Sequence, residues 1–339
     1  MVRRILDALV ALVAAATLLV VAWPSLFGLE RTLVVSQLVA FRTVGALAGT
    51  ALAVLALLRA ALRRPGRRRG PAGLAVVLLL FCALQGVVIA DRGTGGDASA
   101  TEATGGITVL SWNTLGGAPG AETVARLALA EHASVVALPE TRKEIADEVA
   151  ALMAAAGEPM QSFTVAYDQV SSARSTSLLV SDALGDYTVD AADSGTGQLP
   201  SVVAVPAGSG SPTIIAAHPI SPTGLDPSSW RDDLDWLAGV CRGDTILAGD
   251  LNSTLDHWAH LEHDAGAQLG GCADAALARG AAAVGSWPTA VPALLGTPID
   301  HVLATDQWTA TAFHVVESED DAGSDHRPVV ATLVAASAG

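Results

Sequence analysis

Three long apolar runs fill most of the first ninety residues and fix what that part of the chain can become: Ile5–Trp23, Leu33–Leu58 and Leu74–Ala90. A helix needs about 20 such residues to cross a hydrocarbon core, and unbroken apolar character is what a lipid-facing helix shows. Residues 1–90 therefore read as a membrane anchor with three transmembrane helices, at about 5–23, 33–58 and 74–90. Arg42 interrupts the second run, and an arginine at bilayer depth is costly. That span is expected to begin near Thr43, with Leu33–Arg42 along the interface. Gly45 and Gly49 make a small-xxx-small pair of the kind that lets helices approach closely, although a chain this rich in Ala and Gly produces such spacings by chance.

Arginines orient the anchor. Arg3 and Arg4 precede the first run, and Arg59, Arg63, Arg64, Arg67, Arg68 and Arg69 crowd the loop before the third, whereas Pro24–Thr32 holds only Arg31 beside Glu30. Loops rich in Lys and Arg stay in the cytoplasm. The expectation is a multi-pass protein of the cell membrane with its N-terminus cytoplasmic and everything after Ala90 extracytoplasmic. No small-residue cleavage pattern follows the first run to mark it as a signal peptide.

Charge divides at the same boundary. Residues 1–90 carry ten arginines and two acids; the rest of the chain carries nine basic and thirty-two acidic residues, a net charge of −23. Such a field repels polyanions over a Debye length of ~8–10 Å, so extended binding of duplex nucleic acid is not expected, while a local cation site can still hold one phosphate. Lys143 is the sole lysine against eighteen arginines, a bias suggesting a GC-rich genome.

Asp91–Gly106, rich in Gly, Thr and Asp, reads as a flexible linker. Residues 107–339 are of a size that makes one domain. Strand-like runs recur there at Ile107–Trp112, Ser134–Leu138, Phe163–Tyr167, Ser177–Val180, Val202–Val205, Thr213–Ala217, Thr245–Ala248, Ile299–Ala304, Thr311–Val316 and Val329–Val334. Helical patterns fall at Glu122–Glu131, Arg142–Ala156, Ser229–Val240 and Trp258–Ala265. Several strands lack polar alternation, which implies both faces covered: two stacked sheets flanked by helices.

Six polar clusters end or interrupt these strands in a fixed order: Ser111-Trp112-Asn113, Pro139-Glu140, His218, Gly249-Asp250-Leu251-Asn252-Ser253, Ile299-Asp300-His301 and Ser324-Asp325-His326-Arg327-Pro328. Acids, amides and histidines delivered to neighbouring strand ends are what metal-assisted phosphoester hydrolysis needs: oxygen ligands for a hard cation, a group to activate water and donors for phosphate. Taken singly, Asn113, Asp250 and Asn252 are equally well read as turn and cap residues. Taken in order, the set resembles the endonuclease/exonuclease/phosphatase superfamily of abasic-site endonucleases, pancreatic-type deoxyribonuclease, sphingomyelinases and inositol-polyphosphate phosphatases. The likeness covers Ile107–Val334, and its most specific parts are Gly249–Ser253 and Ser324–Pro328.

That resemblance implies an α/β fold, a four-layer α/β/β/α sandwich preceded here by the three transmembrane helices. It also implies roles. Glu140 would be the main ligand of Mg²⁺, or of Mn²⁺ or another divalent cation, assisted by Asn113 and Asp325. Asp250 would position or deprotonate water, Asn252 would donate to phosphate, His326 would act at phosphorus with Asp300 fixing its tautomer, and His218 would donate to a non-bridging oxygen. Pro139 departs from the Gln that relatives commonly have before the glutamate. Trp287 and His301 are expected on the substrate side; a buried Trp before a turn is the other reading of Trp287.

The remaining features carry less. His257, His260 and His263 do not share one helical face and read as a solvated helix. Cys241 and Cys272 flank the Asp250–Asn252 loop and are reasonable disulfide partners in an oxidising compartment, with two buried thiols as the alternative. The function expected is a divalent-metal-dependent phosphoesterase, more specifically a phosphodiesterase acting on a phospholipid headgroup or small phosphodiester outside the cell. An extracellular nuclease is the alternative of the same chemistry, and a catalytically silent displayed sensor is the alternative of another class.

Overall fold

In the computed structural model the described residues are 2–64, 68–95, 106–167, 171–190, 195–224 and 226–336. They fall into two compact units, Met1–Arg92 and Gly93–Gly339.

The first unit holds α1 (Val2–Ala22), α2 (Val35–Ala40), α3 (Arg42–Ala61) and α4 (Arg69–Arg92). Of these, α1, α3 and α4 are long and apolar enough to cross a membrane. Their outward side chains include Leu9, Leu12, Val13, Leu55 and Leu80, all exposed. Such a surface is unfavourable in water and suits lipid. The second apolar run breaks at Phe41, whose backbone (φ −107°, ψ 53°) separates α2 from α3. Arg42 opens α3 and is buried, and its guanidinium donates to the Ala22 carbonyl and the Gln85 side-chain oxygen, so its charge is solvated by the helices themselves. Only one glycine of the pair is needed for close approach: a Cβ on Gly49 would lie 2.8 Å from Cys82 Sγ of α4, whereas one on Gly45 would meet only Phe81 at 3.9 Å.

The helix α4 continues through Arg92, which moves the start of the expected linker beyond that residue. Gly93 and Gly95 are then tied down within the second unit, Gly95 N–H donating to Gly280 O and Ala283 N–H to Gly93 O, each at 3.0 Å. Residues 96–105 of the expected linker, and Arg67 of the arginine-rich loop, lie outside the described residues.

In the second unit the strands are β1 (Ile107–Ser111), β2 (Val135–Pro139), β3 (Met160–Ala166), β4 (Ser175–Ser181), β5 (Tyr187–Val189), β6 (Val202–Pro206), β7 (Thr213–Ala217), β8 (Thr245–Asp250), β9 (Cys272–Asp274), β10 (Asp300–Thr305), β11 (Trp308–Val315) and β12 (Val329–Ala335). They form two six-stranded mixed sheets, ordered β11-β12-β1-β2-β4-β3 and β5-β6-β7-β8-β10-β9. Each sheet has one parallel pair at its centre, β1 with β2 and β7 with β8. The inner faces meet through Val109, Val135, Ala137, Ile214, Ala216, Ile246, Ala248, Val302 and Ala331. On the outer face of the first sheet α5 (Ala121–Ala130) and α6 (Lys143–Ala155) cover Leu110, Val136, Leu138 and Leu179. On that of the second, α7 (Ser228–Val240) covers Ile215, Ala217, Leu247 and Leu303. This is the four-layer α/β/β/α sandwich, and the covered faces are why its strands are apolar on both sides.

A helix expected at Trp258–Ala265 is absent. Only a 3-10 turn forms, Leu255–Trp258, with His257 and Trp258 drawn into the core and His260 in left-handed backbone (φ 68°). The His257 ring packs edge-on to Trp230 at 5.1 Å, so it is a core side chain and not part of a solvated face. The segment that follows reaches β9 and a short helix, α8 (Ala275–Ala278).

Cys241, at the end of α7, is joined to Cys272 of β9 across a separation of 31 residues. The closed loop contains the Asp250–Ser253 segment. Replacing both by alanine is expected to lower the unfolding free energy by ~3–4 kcal/mol in the chain-entropy treatment of such a loop. Urea unfolding of the full chain in detergent, followed by tryptophan fluorescence, measures this; an unchanged midpoint would reject the stabilising role.

Candidate active site

Strand parity and register deliver the six clusters to one edge of the sandwich. Ser111 stands opposite both Ala137 and Val329, Ala217 opposite Gly249, and Asp250 opposite Asp300, so the site ends of β1, β2, β12, β7, β8 and β10 coincide. Alternate residues of a strand share a face. Counting on from the inward-facing Val109, Ala216, Ala248 and Val302 brings Asn113, His218, Asp250 and Asp300 to the inner side at that edge. Glu140 has the opposite parity. It is brought in by left-handed backbone (φ 56°), a conformation a non-glycine residue adopts only under external constraint. Gly249 is required by space, since a Cβ there would lie 2.0 Å from Ala217 O of the neighbouring strand.

Asn113 is buried and its Nδ2 donates to both Glu140 Oε1 (3.1 Å) and Asp250 Oδ2 (3.0 Å), while its Oδ1 accepts from Leu115 N–H. The side chain thus presents hydrogens, not oxygen, to the acids; acting as a ligand would require its amide to turn over. Asp250 Oδ1 accepts from Asn252 N–H at 2.9 Å. Asn252 is in left-handed backbone (φ 45°) and spends one amide hydrogen on the Pro219 carbonyl. His218 Nε2 lies 3.8 Å from Glu140 Oε1 and 3.9 Å from Asp250 Oδ2. His326 Nδ1 bonds Asp300 Oδ2 at 2.8 Å, and its Nε2 lies 3.7 Å from Asp250 Oδ2. Asp325 Oδ2 accepts from Trp287 Nε1 at 2.8 Å. Beneath this, Trp112 is fully buried and donates its indole N–H to the His326 carbonyl, and Ser324 Oγ donates to the Asn113 carbonyl. The first and last clusters of the chain are stitched together by those two bonds.

Burial and charge divide the titratable groups. Burial pushes the His218 imidazole down to about 4, so it is neutral near pH 7. Burial alone would lower His326 too, but the Asp300 and Asp250 carboxylates outweigh it and raise it to about 10. Asp250 and Glu140 are raised, first by burial and then by neighbouring acids, Asp300 for Asp250 and Asp250 and Asp325 for Glu140. The edge therefore holds one imidazolium among four carboxyl groups. None of the dominant neighbours is Lys or Arg.

Donor atoms of Asp250, Asp300 and His326 all lie within 4.8 Å of one another, an arrangement able to hold a metal ion. Hydrogen bonding claims part of it, because His326 Nδ1 already engages Asp300. Glu140 is partly open to solvent, with 18% of its side chain exposed, and its proton affinity is raised. An edge where neighbouring acids help raise the proton affinity of Glu140 and Asp250 carries an excess of negative charge that a divalent cation relieves, and its oxygen donors suit a hard one. The residues present fit such an ion.

The sequence model of the Endonuclease/Exonuclease/phosphatase family matches residues 110–326. The chain belongs to that family. Among solved structures it is similar to an endonuclease/exonuclease/phosphatase from Beutenbergia cavernae, at 21% identity over 69% of this chain and 72% of that one, with a TM-score of 0.52. Others are a Bacteroides vulgatus endonuclease/exonuclease/phosphatase (14% identity, 68% and 99% covered, TM-score 0.49) and the Neisseria 3′ phosphatase NExo bound to product DNA hairpin (16%, 66% and 98%, 0.48). At 21% identity the likeness to the Beutenbergia cavernae structure shows the fold alone. No curated protein matches the chain. The family's members are metal-dependent phosphoesterases, and this chain is a metal-dependent hydrolase of phosphoester bonds.

Of the two residues expected on the substrate side, His301 sits elsewhere, whereas Trp287 stays at the edge beside Asp325 and His326. Trp287 is half-buried and holds Asp325, with its ring 6.4 Å from that of His326. His301 has the parity opposite to Asp300 and is buried on the outer side of β10. There Nδ1 faces Asp274 Oδ2 (2.8 Å), Nε2 faces the Ser253 and Pro298 carbonyls (3.0 and 3.1 Å), and the ring packs against Trp258 at 4.6 Å. Both nitrogens meet acceptors, so both donate and the ring is an imidazolium strut under the Asp250–Ser253 loop. The period-2 pattern of β10 carried that signal: two consecutive strand residues cannot both face the site.

Burial would lower the His301 pKa, but the Asp274 carboxylate, the Ser253 carbonyl and Asp300 raise it above its ordinary value. A folded pKa above the unfolded one gives stability that is fully present below the unfolded value near 6.5 and is lost as pH rises through the folded value. The stability gap between the wild-type chain and His301→Gln should therefore narrow as pH is raised from about 5 to 9. A gap that stays constant in urea titrations across that range would show that the ring is neutral.

Proposed function

We propose that the chain is a membrane-anchored phosphodiesterase whose catalytic domain works outside the cell on a phospholipid headgroup or another small phosphodiester. The observation that carries the reading is the pairing of an Asp300-held imidazolium, His326, with the buried carboxylate of Asp250, beside the more open Glu140. His326, protonated on both nitrogens, serves as a donor to a phosphoryl oxygen. Asp250, whose proton affinity burial raises, is the group suited to take a proton from the attacking water. Its Oδ1 is steadied by the Asn252 N–H and its Oδ2 by Asn113. The neutral His218 and the remaining Asn252 amide hydrogen add donors for non-bridging oxygens. Glu140 and Asp325 would hold the divalent cation, Mg²⁺ being the ion that suits a site with few carboxylates and several waters. When bound, the ion supplies Lewis-acid stabilisation of charge on the phosphoryl oxygens.

Charge favours a diester over a monoester. An edge with four carboxyl groups and one imidazolium accepts a singly charged phosphate more readily than a doubly charged one. The net charge of −23 on residues 91–339 likewise supports a small headgroup over a long polyanion. Placement outside the cell rests on the arginines of the first ninety residues and on the Cys241–Cys272 pairing, which suits an oxidising compartment.

The test is turnover by the full chain in detergent. Hydrolysis of bis(p-nitrophenyl) phosphate and of phospholipid vesicles should require Mg²⁺ or Mn²⁺ and stop with chelator, and Asp250→Asn should lower the rate by ~10²-fold or more without loss of fold. A folded Asp250→Asn chain with unchanged turnover would refute the assignment. Hydrolysis of duplex DNA with steep inverse salt dependence, leaving lipids and small diesters intact, would give the substrate to the nuclease reading instead.

A further inference from the structure

Arg327 is the largest charged side chain that the domain buries completely, and it touches none of the acids at the catalytic edge. Its guanidinium is spread over one short turn. Nη1 donates to Pro288 O (3.1 Å), and Nη2 donates to Thr289 O (3.3 Å), Val291 O (2.8 Å) and Asp320 Oδ2 (2.7 Å). Its backbone N–H donates to Ser286 O at 2.8 Å. The same turn is fastened to the residues just before Arg327, with Thr289 N–H donating to Asp325 O (3.0 Å) and Thr289 Oγ1 to Ser324 O (3.3 Å). Trp287 leads into this turn, and its indole N–H ends on Asp325 Oδ2.

Full burial of a guanidinium is expensive unless its hydrogens are placed. Three carbonyls from one turn and a carboxylate place most of them, with a fork geometry that a lysine cannot reproduce. Rigid docking of the turn has one consequence at the catalytic edge: it fixes the indole that commits one oxygen of Asp325, leaving the other for a cation. We propose that Arg327 and Trp287 are positioning residues, a relay in which the Arg327 clamp sets the turn and the Trp287 indole N–H aims the Asp325 carboxylate at the divalent cation. This rests on the reading above that Asp325 faces that cation. The position between His326 and Pro328 thus has a use of its own: it ties the cation-facing acid to a loop that begins 40 residues earlier in the chain.

Trp287→Phe is the decisive variant, because it keeps an aromatic ring on the turn while removing the indole N–H along with the five-membered half of the indole. Binding of Mn²⁺ to chelator-treated full chain in detergent, measured by titration calorimetry, should weaken by about tenfold or more, the range seen when a partner of a metal ligand is lost. Its thermal midpoint should stay close to that of the wild type, and turnover lost at limiting Mn²⁺ should recover as Mn²⁺ is raised. Arg327→Lys should weaken Mn²⁺ binding in the same direction. Undiminished Mn²⁺ affinity in Trp287→Phe, in a series where Asp325→Asn does lose affinity, would overturn the relay while leaving the metal reading in place. Undiminished affinity in Asp325→Asn would remove Asp325 from the cation site and overturn the relay with it.

Discussion

The antiparallel register of β8 against β10 places Asp250 directly opposite Asp300 at the edge of the second sheet, and the rest of the catalytic edge answers that juxtaposition. Two buried carboxyl groups so placed would repel, and one would be forced to hold a proton. His326, reaching in from the segment before β12, takes Asp300 with one nitrogen and faces Asp250 with the other. One acid becomes the partner of an imidazolium; the other keeps a raised proton affinity and is free to act as a base.

That solution needs precision across two sheets, because His326 belongs to the first and its two acids to the second. The precision comes from buried, hydrogen-bonded supports. Trp112 fixes the His326 carbonyl, Ser324 fixes that of Asn113, and Asn113 in turn bridges Glu140 and Asp250. Deeper in the second unit, Asp233 accepts the N–H groups of Gly197 and Ile220, fixing the loop that carries His218 and the Pro219 carbonyl on which Asn252 rests. Each support uses a group whose desolvation cost is met by a bond, as buried polar side chains require.

Much of this was legible in the sequence, for physical reasons that differ between elements. The strands β1, β2, β8 and β10 are unbroken apolar runs ending in polar clusters, so their existence and their chemistry could be read together. The strands β5 and β9 are three residues long and carry no period to detect. The expected helix after Ser253 failed because His257 and Trp258 gain more from burial against Trp230 and His301 than a solvated helix would give them. Glu140 was found from its motif and would have been missed by parity, since only left-handed backbone turns it to the site. His301 is the reverse case: its motif drew it to the site, and parity places it behind. Asn113 was identified as a site residue, but which end of its amide meets the acids depends on the Leu115 N–H, which no pattern announces.

Both units bury an arginine by surrounding its guanidinium with acceptors, and this bears on how the enzyme meets its substrate. In the first unit Arg42 is buried because the Ala22 carbonyl and Gln85 solvate it among apolar helices. In the second, Arg327 is buried by a turn of backbone carbonyls, so its guanidinium is not available to bind phosphate, and Arg126 is paired with Glu319. No Lys or Arg is among the groups that shift Glu140, Asp250 or His326, so compensation of those acids falls chiefly to the imidazolium and to a bound metal ion. Substrate binding and metal binding are then the same electrostatic event: without the ion the acidic edge repels phosphate, and with it the field reverses locally over a distance shorter than the ~8–10 Å at which salt screens the rest of the acidic domain.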